Sequence, residues 1–292
     1  MKDLHIGLAI VIGMSLLLFL LSIYLTRKLP RSAALLILMA GFAGLAAYLE
    51  YAWDLAATVR YLPFSNAMIV GNLAPPTCAI LAGIAYNALT GPWWRRVVIP
   101  GLSVVLACYG VSRPIFAEQP KSASLWKGGI WRQTDQASCT PAAAATFLNA
   151  HGIGATEAEM AALCRTTNQG TSTLGLYRGL VLKTRGTKWK VKPITTRNID
   201  ELREAVDDPI IVSTGLKLEA AASADPRYMT DWGWAPGVKH TVVLLKALDS
   251  EFTIVADPAT GVERWTREAL QLLYQGEGFQ LVEETPNANT GL

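Results

Sequence analysis

The chain changes character part-way along. Residues 1–117 run as long apolar blocks with short polar breaks, whereas the rest alternates briefly, turns, and shows helical spacing punctuated by Gly, Pro and Asp. Four apolar blocks occupy 4–25, 32–49, 67–89 and 97–117. Each approaches or exceeds the ~20 residues that a bilayer-crossing helix needs. Arg27-Lys28 follows the first block, and no small-residue cleavage site does, so the block reads as a retained span rather than a signal peptide. Pro75-Pro76 lies inside the third. Residues 118–129 read as a polar linker and 285–292 as a tail.

Between linker and tail, 130–284 reads as one domain. Thr140–Ala150 is alanine-rich and helical, ended by His151-Gly152. Thr156-Glu157-Ala158-Glu159 is a capping box for a second helix, through about Leu163. A third helix is expected over 172–184 and a fourth from Asn198 to about Val206, broken by Asp207-Asp208-Pro209. Strands are expected over 188–194, 210–213, 239–248, 252–256 and 278–283, with Thr266 capping a last helix and Asp249-Ser250 making a two-residue hairpin turn. Helices first and strands later predict an α+β domain with a mainly antiparallel sheet, preceded by an all-α bundle of about four transmembrane helices.

Composition sharpens this division. The chain is 51% hydrophobic and 17% charged, whereas soluble domains carry about 25% charge. Net charge is +5 over residues 1–115 and −2 over 116–292. No basic block or aromatic–basic stripe points to nucleic acid. Arg27, Lys28 and Arg31 fall between the first two blocks, Arg95 and Arg96 between the last two, and only Arg60, beside Glu50 and Asp54, in between. The positive-inside tendency then puts the first and third loops in the cytoplasm. Both termini face outward, making the chain a multi-pass inner or plasma membrane protein with its second half on the outer face. Trp53, Trp93 and Trp94 sit where interfacial anchors sit. Asn72, Pro75, Pro76 and Asn87 read as helix-packing residues, and the blocks contain no Asp, Glu or Lys that would suggest transport.

Candidate chemistry is sparse, with three His and four Cys. Cys78 and Cys108 fall in apolar blocks. Cys139 opens the alanine-rich helix, with Pro141 in its first turn, so its sulfur meets the positive end of the helix dipole, which favours thiolate. His240 heads the apolar strand KHTVVLL. A two-residue turn at Asp249-Ser250 puts Asp257 opposite Val242, diagonal to His240, where a carboxylate orients an imidazole. Gln133, six residues before Cys139, carries an amide suited to an oxyanion; Gln136 and Ser138 are weaker choices for that role. Taken singly, these are also a small buried thiol, a strand-edge His and a solvated Gln. A Cys139–Cys164 disulfide would silence the nucleophile. Cys139, Cys164 and His151 lack ligand spacing, so no metal or organic cofactor is expected.

Together, Gln-x5-Cys at a helix start, a His-led strand 101 residues on and Asp-Pro-x-x-Gly on the next strand form an ordered set. The set resembles the papain-like cysteine proteases, and within them the bacteriocin-processing, double-glycine leader peptidase family. The matching stretches are QTDQASCTPAAAATFLNAHGI, GTSTLGLYRGL, PIIVSTGL and KHTVVLLKALDSEFTIVADPATG. The resemblance implies a papain-like fold with Cys139 as nucleophile, His240 as general base, Asp257 as orienting acid and Gln133 as oxyanion donor. Where the family commonly shows Asp-Cys-Gly, this chain has Ser138-Cys139-Thr140. Familiar members are fused to ATP-driven exporters; no Gly-x4-Gly-Lys-Ser/Thr loop occurs here. The expectation is a membrane-anchored cysteine peptidase acting on a peptide or protein, held in membrane lipid, with a separate membrane transporter as a candidate partner. A silent peptide-binding module and an acyltransferase or amidase with the same triad are the alternatives. Residues 217–238, with Asp231-Trp232-Gly233-Trp234, form a long loop before His240 suited to a substrate flap.

Overall fold

The computed structural model describes residues 2–116, 118–221, 224–231, 233–248 and 251–284. The Asp249-Ser250 turn, Trp232 and the 285–292 tail lie outside them. The chain forms two compact units: Met1–Thr58 with Leu62–Ala117, and Val59–Tyr61 with Glu118–Leu292.

The first unit contains α1 (Lys2–Thr26), α2 (Arg31–Tyr51), α3 (Ala67–Val70), α4 (Ala74–Ala88) and α5 (Trp93–Phe116). With α3 and α4 taken as one stretch, four helices are long and apolar enough to span a membrane. α4 is the hub, since α1, α2 and α5 all pack on it. Small residues permit the approach: a Cβ on Gly83 would lie 2.7 Å from the Phe19 carbonyl oxygen. Asn87 Nδ2 ties the end of α4 to α1, donating to the Ile23 carbonyl at 2.8 Å and to Thr26 Oγ1 at 3.0 Å.

The third apolar block is a broken helix rather than a continuous one. Pro75 has no N–H to return to Gly71 four residues back, so the helical ladder fails there. Tyr48 of α2 repairs the gap: its hydroxyl donates to the Gly71 carbonyl at 2.8 Å and accepts from the Leu73 N–H at 3.0 Å. Asn72 Oδ1 accepts from the Ala74 N–H. Irregular backbone among apolar helices needs such internal partners, because apolar surroundings supply none. α5 also starts earlier than expected, so Arg96 lies on its first turn rather than in a loop and donates to the Leu89 carbonyl at the end of α4.

The second unit opens with a two-stranded ladder, β1 (Leu125–Lys127) and β2 (Ile130–Arg132). β1 lies inside the stretch expected to be a linker. Three-residue strands are too short to show alternation, although Gly128-Gly129, both at positive φ, is a hairpin signal. Helices α6 (Cys139–Ala150), α7 (Glu157–Cys164) and α8 (Thr173–Thr184) follow, then β3 (Trp189–Ile194), α9 (Ile199–Glu204) and β4 (Ile210–Thr214). Two short helices, α10 (Leu218–Ala221) and α11 (Arg227–Thr230), lie in the long loop. The chain finishes with β5 (His240–Ala247), β6 (Phe252–Asp257), β7 (Gly261–Thr266), α12 (Arg267–Leu273) and β8 (Tyr274–Glu283). Thr156, Ser172, Asn198 and Thr266 each cap a helix through the side-chain oxygen, accepting from Glu159, Gly175, Asp200 and Ala269 N–H.

The six strands form one antiparallel sheet in the order β3-β8-β4-β5-β6-β7. α6 packs on β5 and is buried on every side from Thr140 to Leu148, with Ala142 to Ala145 fully inaccessible. A helix apolar all round is a core helix, and its small side chains let it lie close to the sheet. Ile210, Val212, Val242, Leu244 and Val255 join Trp265, Leu270 and Leu273 in a further core cluster.

The β5–β6 hairpin differs from the expected two-residue turn. Leu248 N–H bonds the Phe252 carbonyl and Ala247 stands opposite Thr253, one residue out of the expected register. A bulge between Leu244 and Lys246 takes up that residue, so Val243 faces Ala256, as the two-residue turn predicts. The two departures cancel before the strands reach His240 and Asp257.

Candidate active site

Three elements converge. Cys139 is the first residue of α6, His240 the first of β5 and Asp257 the last of β6. A tight turn feeds Cys139 into its helix. The Ser138 hydroxyl donates to the Asp135 carbonyl at 2.9 Å and accepts from the Asp135 N–H at 3.0 Å, while Asp135 Oδ1 accepts from the Ala137 N–H at 2.8 Å. Ser138 is therefore fully buried and committed to the turn, which removes it as an oxyanion donor. Cys139 itself remains partly accessible.

His240 Nε2 lies 2.8 Å from Asp257 Oδ1, and the same oxygen accepts from the Ala259 N–H at 2.7 Å. The imidazole and the Cys139 thiol also lie near enough to shift each other's protonation. With Nε2 committed to Asp257, Nδ1 is the ring nitrogen left for sulfur. Trp234, buried in the loop before β5, packs edge-on to the His240 ring with centroids 5.1 Å apart, and against Trp265 at 5.8 Å. Its indole shields the His–Asp pair from water.

The electrostatics follow from this contact set. Burial pushes the Cys139 thiol up, but the hydrogen bond and charge of His240, with smaller help from Thr140 and the Thr241 N–H, bring it below the ordinary thiol value. Burial would lower His240, yet Asp257 and Cys139 raise it to about 10. Asp257 is also held below the usual carboxylate value: His240 and the Ala259 and Thr260 N–H groups outweigh its burial. The favoured state is a thiolate–imidazolium pair steadied by a carboxylate. Cys164 shows the opposite case. Full burial drives its thiol up to about 12, outweighing the lowering effects of Arg178 and the Gly179 backbone, and it is unbridged, like Cys139.

Gln133 sits beside the same turn. Its backbone N–H donates to the Pro258 carbonyl at 3.0 Å, next to Asp257. Arg132 Nε reaches the same carbonyl at 3.0 Å. The Gln133 amide is loosely held: Nε2 reaches the Asp135 carbonyl only at 3.4 Å, and buried Oε1 has no hydrogen-bond partner among the described residues. Gln136 is exposed.

Residues 130–282 match the model of the Peptidase_C39 like family. The chain belongs to that family. The Peptidase_C39 like domain is a cysteine-type peptidase with a papain-like fold, its antiparallel sheet following the N-terminal apolar helices. Among solved structures it is similar to the peptidase domain of Streptococcus ComA, a bi-functional ABC transporter involved in a quorum sensing pathway. That match has 19% identity and TM-score 0.41, and covers 54% of this chain and 100% of that one. It is also similar to a double glycine motif protease from an AMS/PCAT transporter in complex with the leader peptide, at 16% identity and TM-score 0.40, covering 57% of this chain and 99% of that one. No curated protein matches the chain.

Sequence reasoning missed the Arg132–Pro258 tie, the edge-on contact of Trp234 with His240 and a hydroxyl contact between Thr140 and Thr241. The last carries a signal: once Cys139 and His240 are placed together, the residues after them are neighbours too.

Proposed function

We propose that this peptidase is membrane-anchored, cleaves a peptide or protein segment near the bilayer, and uses Cys139, His240, Asp257 and Gln133. The observation that carries this is the His240–Asp257 contact at 2.8 Å, with the Cys139 thiol raising the same imidazole's pKa from the start of α6. Cys139 thiolate attacks the scissile carbonyl, forming a C–S bond and an oxyanion. Gln133 Nε2 and the Cys139 N–H, at the positive end of α6, donate to that oxyanion. His240 passes its Nδ1 proton to the leaving amine as the C–N bond breaks, giving an acyl-enzyme. His240 then takes a proton from water, which hydrolyses the thioester. Asp257 stabilises the imidazolium throughout.

In this reading residues 1–117 are the anchor, 118–129 the link, and 130–284 the peptidase domain on the outer face. Leader-type peptides delivered by a separate transporter are the substrate class.

The test labels the full-length protein in sealed membranes with an impermeant thiol reagent, comparing wild type, Cys139→Ala and His240→Ala. Fast labelling lost in Cys139→Ala and slowed in His240→Ala is expected. Labelling only after lysis would reverse the orientation. Reactivity indifferent to His240 would sink the catalytic reading in favour of a peptide-binding module.

A further inference from the structure

We propose that the Thr140 and Thr241 hydroxyls form a positioning pair that locks the nucleophile helix to the base strand and delivers a hydrogen bond to the Cys139 sulfur. The proposal rests on the Cys139–His240 reading above and deepens it. Thr140 follows Cys139 on α6, and Thr241 follows His240 on β5. The two Oγ1 atoms lie 2.8 Å apart across 101 residues of chain. Both residues are buried, with 6% and 8% of their surface exposed. Thr140 Oγ1 is 3.9 Å from Cys139 Sγ. Among the described residues, these hydroxyls have no side-chain hydrogen-bond partner besides each other and that sulfur.

The chemistry fixes the direction of the bonds. A thiolate has no proton and only accepts, so Thr140 donates to sulfur. Thr140 Oγ1 is then free to accept, and Thr241 donates to it. The relay runs Thr241, Thr140, sulfur, and each link polarises the next. The Thr241 backbone N–H also helps to hold the Cys139 thiol below its ordinary value. A buried hydroxyl without a partner costs about 1–3 kcal/mol, so the pair stabilises the seam only while both members are present. The position matters because Thr140 is where this chain departs from the Asp-Cys-Gly pattern: a glycine there has no hydroxyl to give.

The test measures the pH dependence of Cys139 alkylation by iodoacetamide in the full-length protein, with the modified residue identified by mass. The variants are Thr140→Val, Thr241→Val, the double variant, Thr140→Ser and His240→Ala. Thr140→Val should move the acid-limb midpoint up by about half a pH unit, a roughly threefold slower reaction on that limb. Thr241→Val should move it less, and the double variant no further than Thr140→Val, because the bonds are in series. Thr140→Ser should restore the wild-type midpoint. If Val at 140 does not fold, Thr140→Ala removes the hydroxyl without adding a buried methyl. An unmoved midpoint in the hydroxyl-free variant overturns the proposal. His240→Ala separates the two readings. A shift there with none at 140 leaves the Cys–His pair standing and the relay refuted. No shift there with one at 140 refutes the pair and keeps the relay.

Discussion

Helices α4 and α6 are the central helices of their units, both rich in alanine, with proline in the first turn, one cysteine and an asparagine near the end. Their first turns diverge. At α4 the gap left by Pro75 is closed by Tyr48 and Asn72, so the polar backbone is consumed by structure. At α6 no side chain caps the helix, and its first residue is the thiol that meets His240. The cysteines follow suit. Cys78 is buried among apolar residues of α2, α4 and α5, while Cys139 is partly accessible and its thiol is held below the ordinary value. The same helical materials make a scaffold when the N-terminus is satisfied internally, and present a thiol to an imidazole when it is not.

The largest expected effect breaks the reactive side of that comparison. Cys139→Ala should lower peptide turnover by at least about 10⁴-fold, since the covalent route is gone, while Cys78→Ala leaves turnover per folded molecule unchanged. A cleavage assay on any accepted peptide checks both.

The pH profile sharpens the same point. Cys139 sits below its ordinary value and His240 is raised to about 10, so activity should rise as the thiolate forms on the acid side and fall as the imidazolium loses its proton on the alkaline side. Asp257 is the strongest support of the raised His240. Asp257→Asn should therefore move the alkaline limb to lower pH and reduce kcat. An unmoved alkaline limb would remove Asp257 from its assigned role.

The scaffold side predicts smaller changes, in stability rather than chemistry. Tyr48→Phe removes a donor and an acceptor at the helix break and should cost about 1–2 kcal/mol, read as a lower detergent melting temperature with unaltered Cys139 alkylation. Asn87→Leu loses two bonds to α1 and should cost less, about 0.6 kcal/mol.

Much of this was legible because the signals were local. Apolar length marks the four long apolar helices, and caps at Thr156, Asn198 and Thr266 mark helix starts. The approach of His240 to Asp257 follows from hairpin register alone, although the Ala247–Thr253 pairing and the Leu244–Lys246 bulge each displaced it by one residue in opposite senses. Pattern failed where pairing replaces burial. β7 lies at the sheet edge, and only Gly261 and Trp265 of its six residues are buried, so it shows no apolar run. β1 is exposed throughout. The Tyr48 repair and the Trp234 cover are contacts between distant segments, which no local pattern encodes.

The Trp234 contact has an optical consequence. Its indole lies against the ring whose proton decides the state of the site, with centroids 5.1 Å apart. A protonated imidazole withdraws excited-state electron density from a neighbouring indole more strongly than a neutral one, so emission from Trp234 should brighten as His240 gives up its charge. Eight other tryptophans dilute the signal, and the difference between wild type and Trp234→Phe isolates it. The protein thus carries its own fluorescent gauge of the imidazole, readable without substrate.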